Sequence, residues 1–389
     1  MTAGASPAAG AVESRPLTLS RVAWLASIVF FGVLPALLVV LLASEVRDDT
    51  VAIDFFQFYG AAEAILRGES PYPPNGEPTT TWGGPYPYPP LPALLMIPLT
   101  ILPAQAAGVL MMAMLAVVAL AVLFVVGVRD WRCYGVAIMW PPVISAVQTG
   151  NLTLWLALAC ALAWRFRNRS VVSSASIGIT LAAKFFLWPL VVWMAATRRL
   201  AGAALTCVIG VGLLLASWAV IGFAGFGDYP HLLQRLDDLV GADSYTLYIL
   251  GLDLGLPSPA ARALWLGVGL ALVGWVVLLG RRGDERTAFI VAVAAALTLT
   301  PIIWLHYFAL LLVVVAIAQP RLALVWFVPF AMLITPGSGD PTPFDTAWTL
   351  GVAAVTIGLA VRASRAGIRP VGSDSARAGP DPGPVPEPA

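Results

Sequence analysis

The chain is built from apolar runs broken by short arginine clusters, and that alternation limits what it can fold into more than any motif does. The runs are 22–43, 104–128, 133–147, 151–164, 171–183, 185–197, 200–222, 262–280, 287–303, 306–318, 322–335 and 346–361. Hydrophobic residues make up 59% of the sequence and charged residues 11%, against about 45–50% and 25% in soluble domains. Surface-to-volume scaling leaves a water-soluble fold no interior large enough for so much apolar surface, so lipid must be one of the solvents. The expected fold is therefore all-α, a polytopic transmembrane helical bundle of about 12 spans. A transmembrane domain over 21–365 lies between disordered tails at 1–20 and 366–389, both rich in small residues, Pro and Gly.

Arginine placement gives this bundle an orientation, because cytoplasmic loops collect Lys and Arg. If both tails and the clusters around Arg129, Arg167, Arg198, Arg282, Arg321 and Arg365 lie inside, only Arg47, Arg67, Lys184, Arg235 and Arg262 remain outside, of 22 basic residues. Most acidic residues fall outside. Both termini are then cytoplasmic, and two long outer loops appear, 44–103 between spans 1 and 2 and 223–261 between spans 7 and 8. Several runs hold only 13–15 residues, short of the roughly 20 a spanning helix needs. The pairs 133–147/151–164 and 171–183/185–197 each begin and end at inside arginines. Their apices, at Gln148–Asn151 and Lys184, are therefore expected outside or within a protein-lined cavity. The stretch 91–102 is expected to be re-entrant or interfacial. Residues 55–67 are expected to form an amphipathic helix on the outer surface, with Asp54 at its N-cap position and Gly68 at its stop.

Few residues in such a chain offer chemistry. Asp54 is an outer-loop carboxylate that either caps a helix or accepts the proton of an attacking hydroxyl. Lys184, the sole lysine, stands in the apolar stretch LAAKFFLWPL. An ionisable group at such depth is expensive, and it either snorkels to the interface or marks an anion site such as a phosphate. His306, in TPIIWLHYF, follows the break at Pro301; the second histidine, His231, lies in the second outer loop. Further candidate substrate contacts are Tyr59, Tyr86 and Tyr88 beside a Pro- and Tyr-rich loop, Gln148 and Asn151 in QTGN, Trp304, and Tyr245 in the second loop. Cys133, Cys160 and Cys207 form neither a disulfide framework nor a zinc-ligand pattern. A net charge of +1 gives no footprint for nucleic acid. Asp-x-Asp pairs, Walker loops, Gly-x-Ser-x-Gly and His-Glu-x-x-His are all missing, and the residues call for no metal or other cofactor.

The blocks IDFFQFYGAAEAILRGESPYPP (53–74) and PYPYPPLPALLMIPLTILP (85–103) resemble the opening of glycosyltransferase family 87, whose members have the GT-C fold. QTGNLTLWLALACALAWRFRNR (148–169), AAKFFLWPLVVW (182–193) and LTPIIWLHYFALLL (299–312) follow in the matching order. The resemblance runs from about residue 22 to 335. It implies an inverting hexosyltransferase working on the outer face, while the arginine-over-lysine bias and high Ala, Gly and Pro content point to a bacterial plasma membrane. The donor would be a polyprenyl-phosphate-linked sugar, commonly mannose, and the acceptor a glycolipid or lipoglycan of the cell envelope. Asp54 matches the family's first-loop aspartate, implied to be the base, while Lys184 and His306 match positions near the donor phosphate. Where the family often has a second adjacent histidine, this chain has Tyr307. An arabinofuranosyl donor remains the nearest rival, and a transporter or flippase of lipid-linked sugar is the alternative from another class.

Overall fold

The computed structural model describes residues 15–44, 51–72, 86–241, 243–335 and 341–366. The tail residues 1–14 and 367–389, and most of the Pro/Tyr loop, lie outside the described residues. All regular structure described is helical. Helices α1 (Arg15–Ile28) and α2 (Leu34–Ser44) run into each other through a π-helical turn at Val29–Val33. There follow α3 (Ile53–Leu66), α4 (Pro90–Met96), α5 (Ala104–Val126), α6 (Trp131–Ile138), α7 (Pro141–Thr149), α8 (Thr153–Arg165), α9 (Ser170–Ala183) and α10 (Pro189–Ala196). The second half holds α11 (Leu200–Val220), α12 (Tyr229–Val240), α13 (Leu247–Asp253), α14 (Ser258–Arg281), α15 (Glu285–Leu299), α16 (Leu311–Ala318) and α17 (Pro343–Ala366).

Helix ends fall within a few residues of most apolar runs, but length divides the helices into two classes. Five stretches are long and apolar enough to cross a membrane: Arg21–Leu42, Ala104–Val126, Leu200–Val220, Ser258–Arg281 and Pro343–Ala366. The bent pair α7–α8, with 119° between its halves, makes a sixth if read as one span. The other apolar helices are shorter, so 12 full crossings are more than helix length alone supports.

Local chemistry explains the breaks. Pro141 and Pro142 open α7, where missing N–H groups cost nothing. Gly150, at φ +70, closes it by donating its N–H to Ala146 and Val147 carbonyls. Pro189 lacks an N–H to continue α9 into α10, so the chain passes through an extended Lys184 and a 3₁₀ turn at Phe185–Leu187. Thr300–Pro301 stops α15 in the same way, and a 3₁₀ helix at Leu305–Leu310 leads into α16.

Burial follows the two classes. Every residue of α16 and the run Thr287–Leu297 of α15 is buried, forming the centre of the bundle. Long α11 and α14 instead expose Val208, Val211, Leu215, Leu264 and Leu270, as lipid-facing helices do. Helix α3 departs from the expected surface helix: Phe55, Phe56, Phe58, Tyr59, Ala61 and Ala62 are all buried, so it is packed on more than one face. Its N-cap residue is Ala52, in the left-handed region at φ 60, and Asp54 is the second residue of the helix rather than its cap. Gly68, at φ +74, does provide the stop.

Candidate active site

Three helix breaks deliver the polar residues to one place. The α7–α8 apex holds the start of α3, because Ala52 N donates to the Gln148 carbonyl at 2.7 Å. Gly150 lies so close that a Cβ there would meet Phe55 Cβ at 2.5 Å. No larger residue fits that approach. Across this contact Asn151 Nδ2 donates to Asp54 Oδ2 at 2.8 Å. The orientation of that amide is fixed from behind, since Thr153 N and Thr153 Oγ1 donate to Asn151 Oδ1 at 2.9 and 2.6 Å.

The α9–α10 break contributes the cation. Lys184 Nζ donates to Tyr88 Oη at 3.4 Å and also to Tyr307 Oη. It lies 3.9 Å from the Tyr307 ring centroid and 4.9 Å from that of Tyr88, so both aromatic faces share its charge. Among the described residues these hydrogen bonds engage two of its three N–H donors. The α15–α16 break supplies His306, whose Nε2 stands 3.9 Å from Asp54 Oδ2. That nitrogen is buried and has no hydrogen-bond partner among the described residues. A buried nitrogen without a partner costs free energy unless a ligand or water meets it. Adjacent residues of a 3₁₀ turn point in different directions, which lets His306 and Tyr307 flank one site with ring centroids 5.0 Å apart.

Burial raises the Asp54 pKa above its ordinary 3.8. The Asn151 hydrogen bond and the Lys184 charge act in the opposite direction, toward the ionised form. A carboxylate held in such balance suits a proton acceptor.

The other sequence candidates fall at different distances from this cluster. Trp304 packs against His306 and Tyr307, at 5.8 and 6.3 Å between ring centroids. Gln148 serves through its backbone carbonyl. Tyr88 faces the cluster, its hydroxyl receiving the Asn151 and Lys184 donors at 3.4 Å each. Tyr86 is a candidate substrate contact that the fold turns inward. It is fully buried, and its hydroxyl donates to Pro89 O and accepts from Ala93 N, tying down the start of α4. Tyr59 donates to Leu102 O. Tyr245 pairs through its N–H with Ile303 O and lines a separate apolar cavity of about 450 Å³ with Trp275 and Phe308. Thr153 and Tyr307, not among the candidate contacts, also belong to the network.

A larger apolar cavity, about 790 Å³, opens beside the cluster between α4, α5, α8 and α9. Leu152 and Ala183 belong to its wall, next in sequence to Asn151 and Lys184. An apolar groove thus reaches the edge of a buried carboxylate–cation–imidazole site.

The sequence model of glycosyltransferase family 87 matches residues 86–303, more than half of the chain. The matched stretch includes Tyr88, Asn151 and Lys184, stops three residues before His306, and begins after Asp54. Neither a curated protein nor a solved structure matches the chain. With the apolar helices described above, the match makes this a membrane glycosyltransferase, and the chain belongs to glycosyltransferase family 87.

Proposed function

We propose that the enzyme transfers a mannosyl residue from a polyprenyl-phosphate donor to an outer-face glycolipid or lipoglycan, with inversion and with Asp54 as the base. The observation that carries this reading is the convergence of Asp54, Lys184 and His306, about 120–130 residues apart in sequence, on one buried site. In the proposed step Asp54 takes the proton of the acceptor hydroxyl while that oxygen bonds the anomeric carbon. The bond from that carbon to the phosphate oxygen breaks on the opposite face. The electron pair leaves on the phosphate, where Lys184 Nζ and His306 Nε2 stabilise it. A phosphate is a good leaving group, so the Lys184 ammonium and a neutral His306 N–H can substitute for an acid. The apolar cavity beside Leu152 and Ala183 suits the isoprenoid chain of such a donor.

Charge placement supports an outer-facing site. Arg167 and Arg199 gather on Glu285 at the start of α15, whereas His306 follows its end, about 22 Å away along a 15-residue helix. By the arginine rule that first end is cytoplasmic, as are both termini, in a bacterial plasma membrane. The 12-crossing count, with 1–20 and 366–389 as inside tails, belongs to the same reading.

The test is transfer by the purified full chain from radiolabelled polyprenyl-phosphate-mannose, beside the corresponding arabinofuranosyl donor and an Asp54→Ala control. Label reaching a lipid-extractable acceptor from the mannosyl donor alone is the expected result. Transfer from the arabinofuranosyl donor only would replace the sugar, and full turnover by Asp54→Ala would remove the mechanism.

A further inference from the structure

Asn151 is commonly the sort of residue assigned to hold substrate, yet its bonding here points inward to the protein. Both functional ends of its amide are committed. Oδ1 receives Thr153 N at 2.9 Å and Thr153 Oγ1 at 2.6 Å, while Nδ2 donates to Asp54 Oδ2 at 2.8 Å and more weakly to Tyr88 Oη at 3.4 Å. A backbone N–H is only a donor, so the atom facing Thr153 must be the amide oxygen. The amino group has no choice but to face Asp54. Asn151 is fully buried and Thr153 is 1% exposed, so no solvent competes for these bonds. The apex carrying Asn151 is itself locked to α3 by the Ala52–Gln148 bond and the Gly150–Phe55 approach.

We propose that Asn151, oriented by Thr153, is a positioning residue that fixes the Asp54 carboxylate and decides which of its oxygens receives the acceptor proton. With Oδ2 held by the amide and faced by His306 Nε2 at 3.9 Å, the acceptor hydroxyl meets Oδ1. The hydrogen bond to Oδ2 orients the carboxylate and, with a smaller contribution from the Thr149 side chain, favours its ionised form. The other charged or titratable groups facing Asp54 are few: Lys184 at the α9–α10 break, His306 and Tyr307 from the 3₁₀ helix before α16, and Tyr88 from the loop before α4. Asn151 makes the short hydrogen bond to the carboxylate, at 2.8 Å, whereas His306 Nε2 stands at 3.9 Å. This inference rests on the reading of Asp54 as the base.

Asn151→Asp tests it while keeping the shape and the two bonds from Thr153. The change turns a donor into a second carboxylate beside Oδ2. The acid limb of kcat/KM against pH should then move up by about one pH unit or more. The donor KM should stay near the wild-type value. Thr153→Val, which removes one of the two bonds steering the amide, should lower kcat several-fold, and Thr153→Ser should restore it. An unmoved acid limb in Asn151→Asp, or equal loss in Thr153→Val and Thr153→Ser, would overturn the proposal. If Asn151→Asp is folded but silent at every pH, the Asp54 carboxyl stretch decides, assigned by its disappearance in Asp54→Asn. An upward shift of its midpoint supports the proposal and an unchanged midpoint refutes it. Full activity of Asp54→Asn would instead remove the base reading itself.

Discussion

Two groups of charged residues lie near opposite ends of α15, and they obey different physics. At its start, Glu285 meets Arg199 at 2.8 Å and Arg167 at 3.4 Å, with all three side chains between 20% and 36% exposed. Beyond its end, Asp54, Lys184 and His306 share a site in which Asp54 and His306 are 6% and 4% exposed. Exposed ion pairs gain little, because water screens them and holding long side chains costs entropy. Buried charges lose hydration worth several kcal/mol per ion and are kept only where partners or function compensate. The first group therefore reads as topology and anchoring, and the second as chemistry. The elements differ to match: the site collects three helix breaks, whereas the lipid-facing wall is unbroken helix.

Substitutions can break or sharpen that contrast. Asp54→Asn, which removes the base with little change of shape, should lower kcat by about 10³-fold or more. Lys184→Met should cost roughly 10²-fold in kcat/KM, mostly by weakening donor use. Donor titrations would show it, and an unchanged KM and kcat would return Lys184 to a packing role. Tyr307→Phe removes one acceptor of the Lys184 ammonium, and about tenfold loss in kcat/KM is expected. Activity should also fall as pH drops. Asp54 works ionised, and burial has raised its pKa, so the acid limb should have its midpoint above 3.8. Gly150→Ala should slow turnover and lower thermal stability. It forces a Cβ onto Phe55 and a non-glycine residue to φ +70, a conformation costing about 1–2 kcal/mol. Glu285→Gln, at the other end, should leave transfer unchanged and alter stability by less than about 1 kcal/mol, shrinking further in high salt.

Much of this was legible before any coordinates. Hydropathy marked most helices because each must hide its backbone from lipid, and Pro301 marked the break before His306. Asp54, Lys184 and His306 stood out since charge and imidazole are rare in such runs. What sequence did not reveal depends on packing between distant segments. Helix α3 looks amphipathic, yet it is buried by packing against α4, the 3₁₀ turn at Ile97–Ile101 and α5, with the Gly150 approach at its start, which periodicity does not encode. Asn151 read as a turn residue or a substrate contact. Its pairing with a carboxylate 97 positions away needed the fold. Thr153 carried no signal, and Tyr307 stood out only as a departure from the family's second histidine; its hold on Lys184 needed the fold. Span length is where the sequence reading exceeds the structure: several short runs counted as crossings are below spanning length, and the pair α7–α8, bent by 119°, fits either a broken span or a re-entrant loop.

The contrast between the two ends comes down to one paired assay. Equal amounts of folded Asp54→Asn and Glu285→Gln protein would be given the same polyprenyl-phosphate-sugar donor and acceptor membranes, and single-turnover transfer followed. The buried cluster as catalytic site requires Asp54→Asn to fall by about 10³-fold while Glu285→Gln keeps the wild-type rate. Comparable rates for the two variants would contradict it.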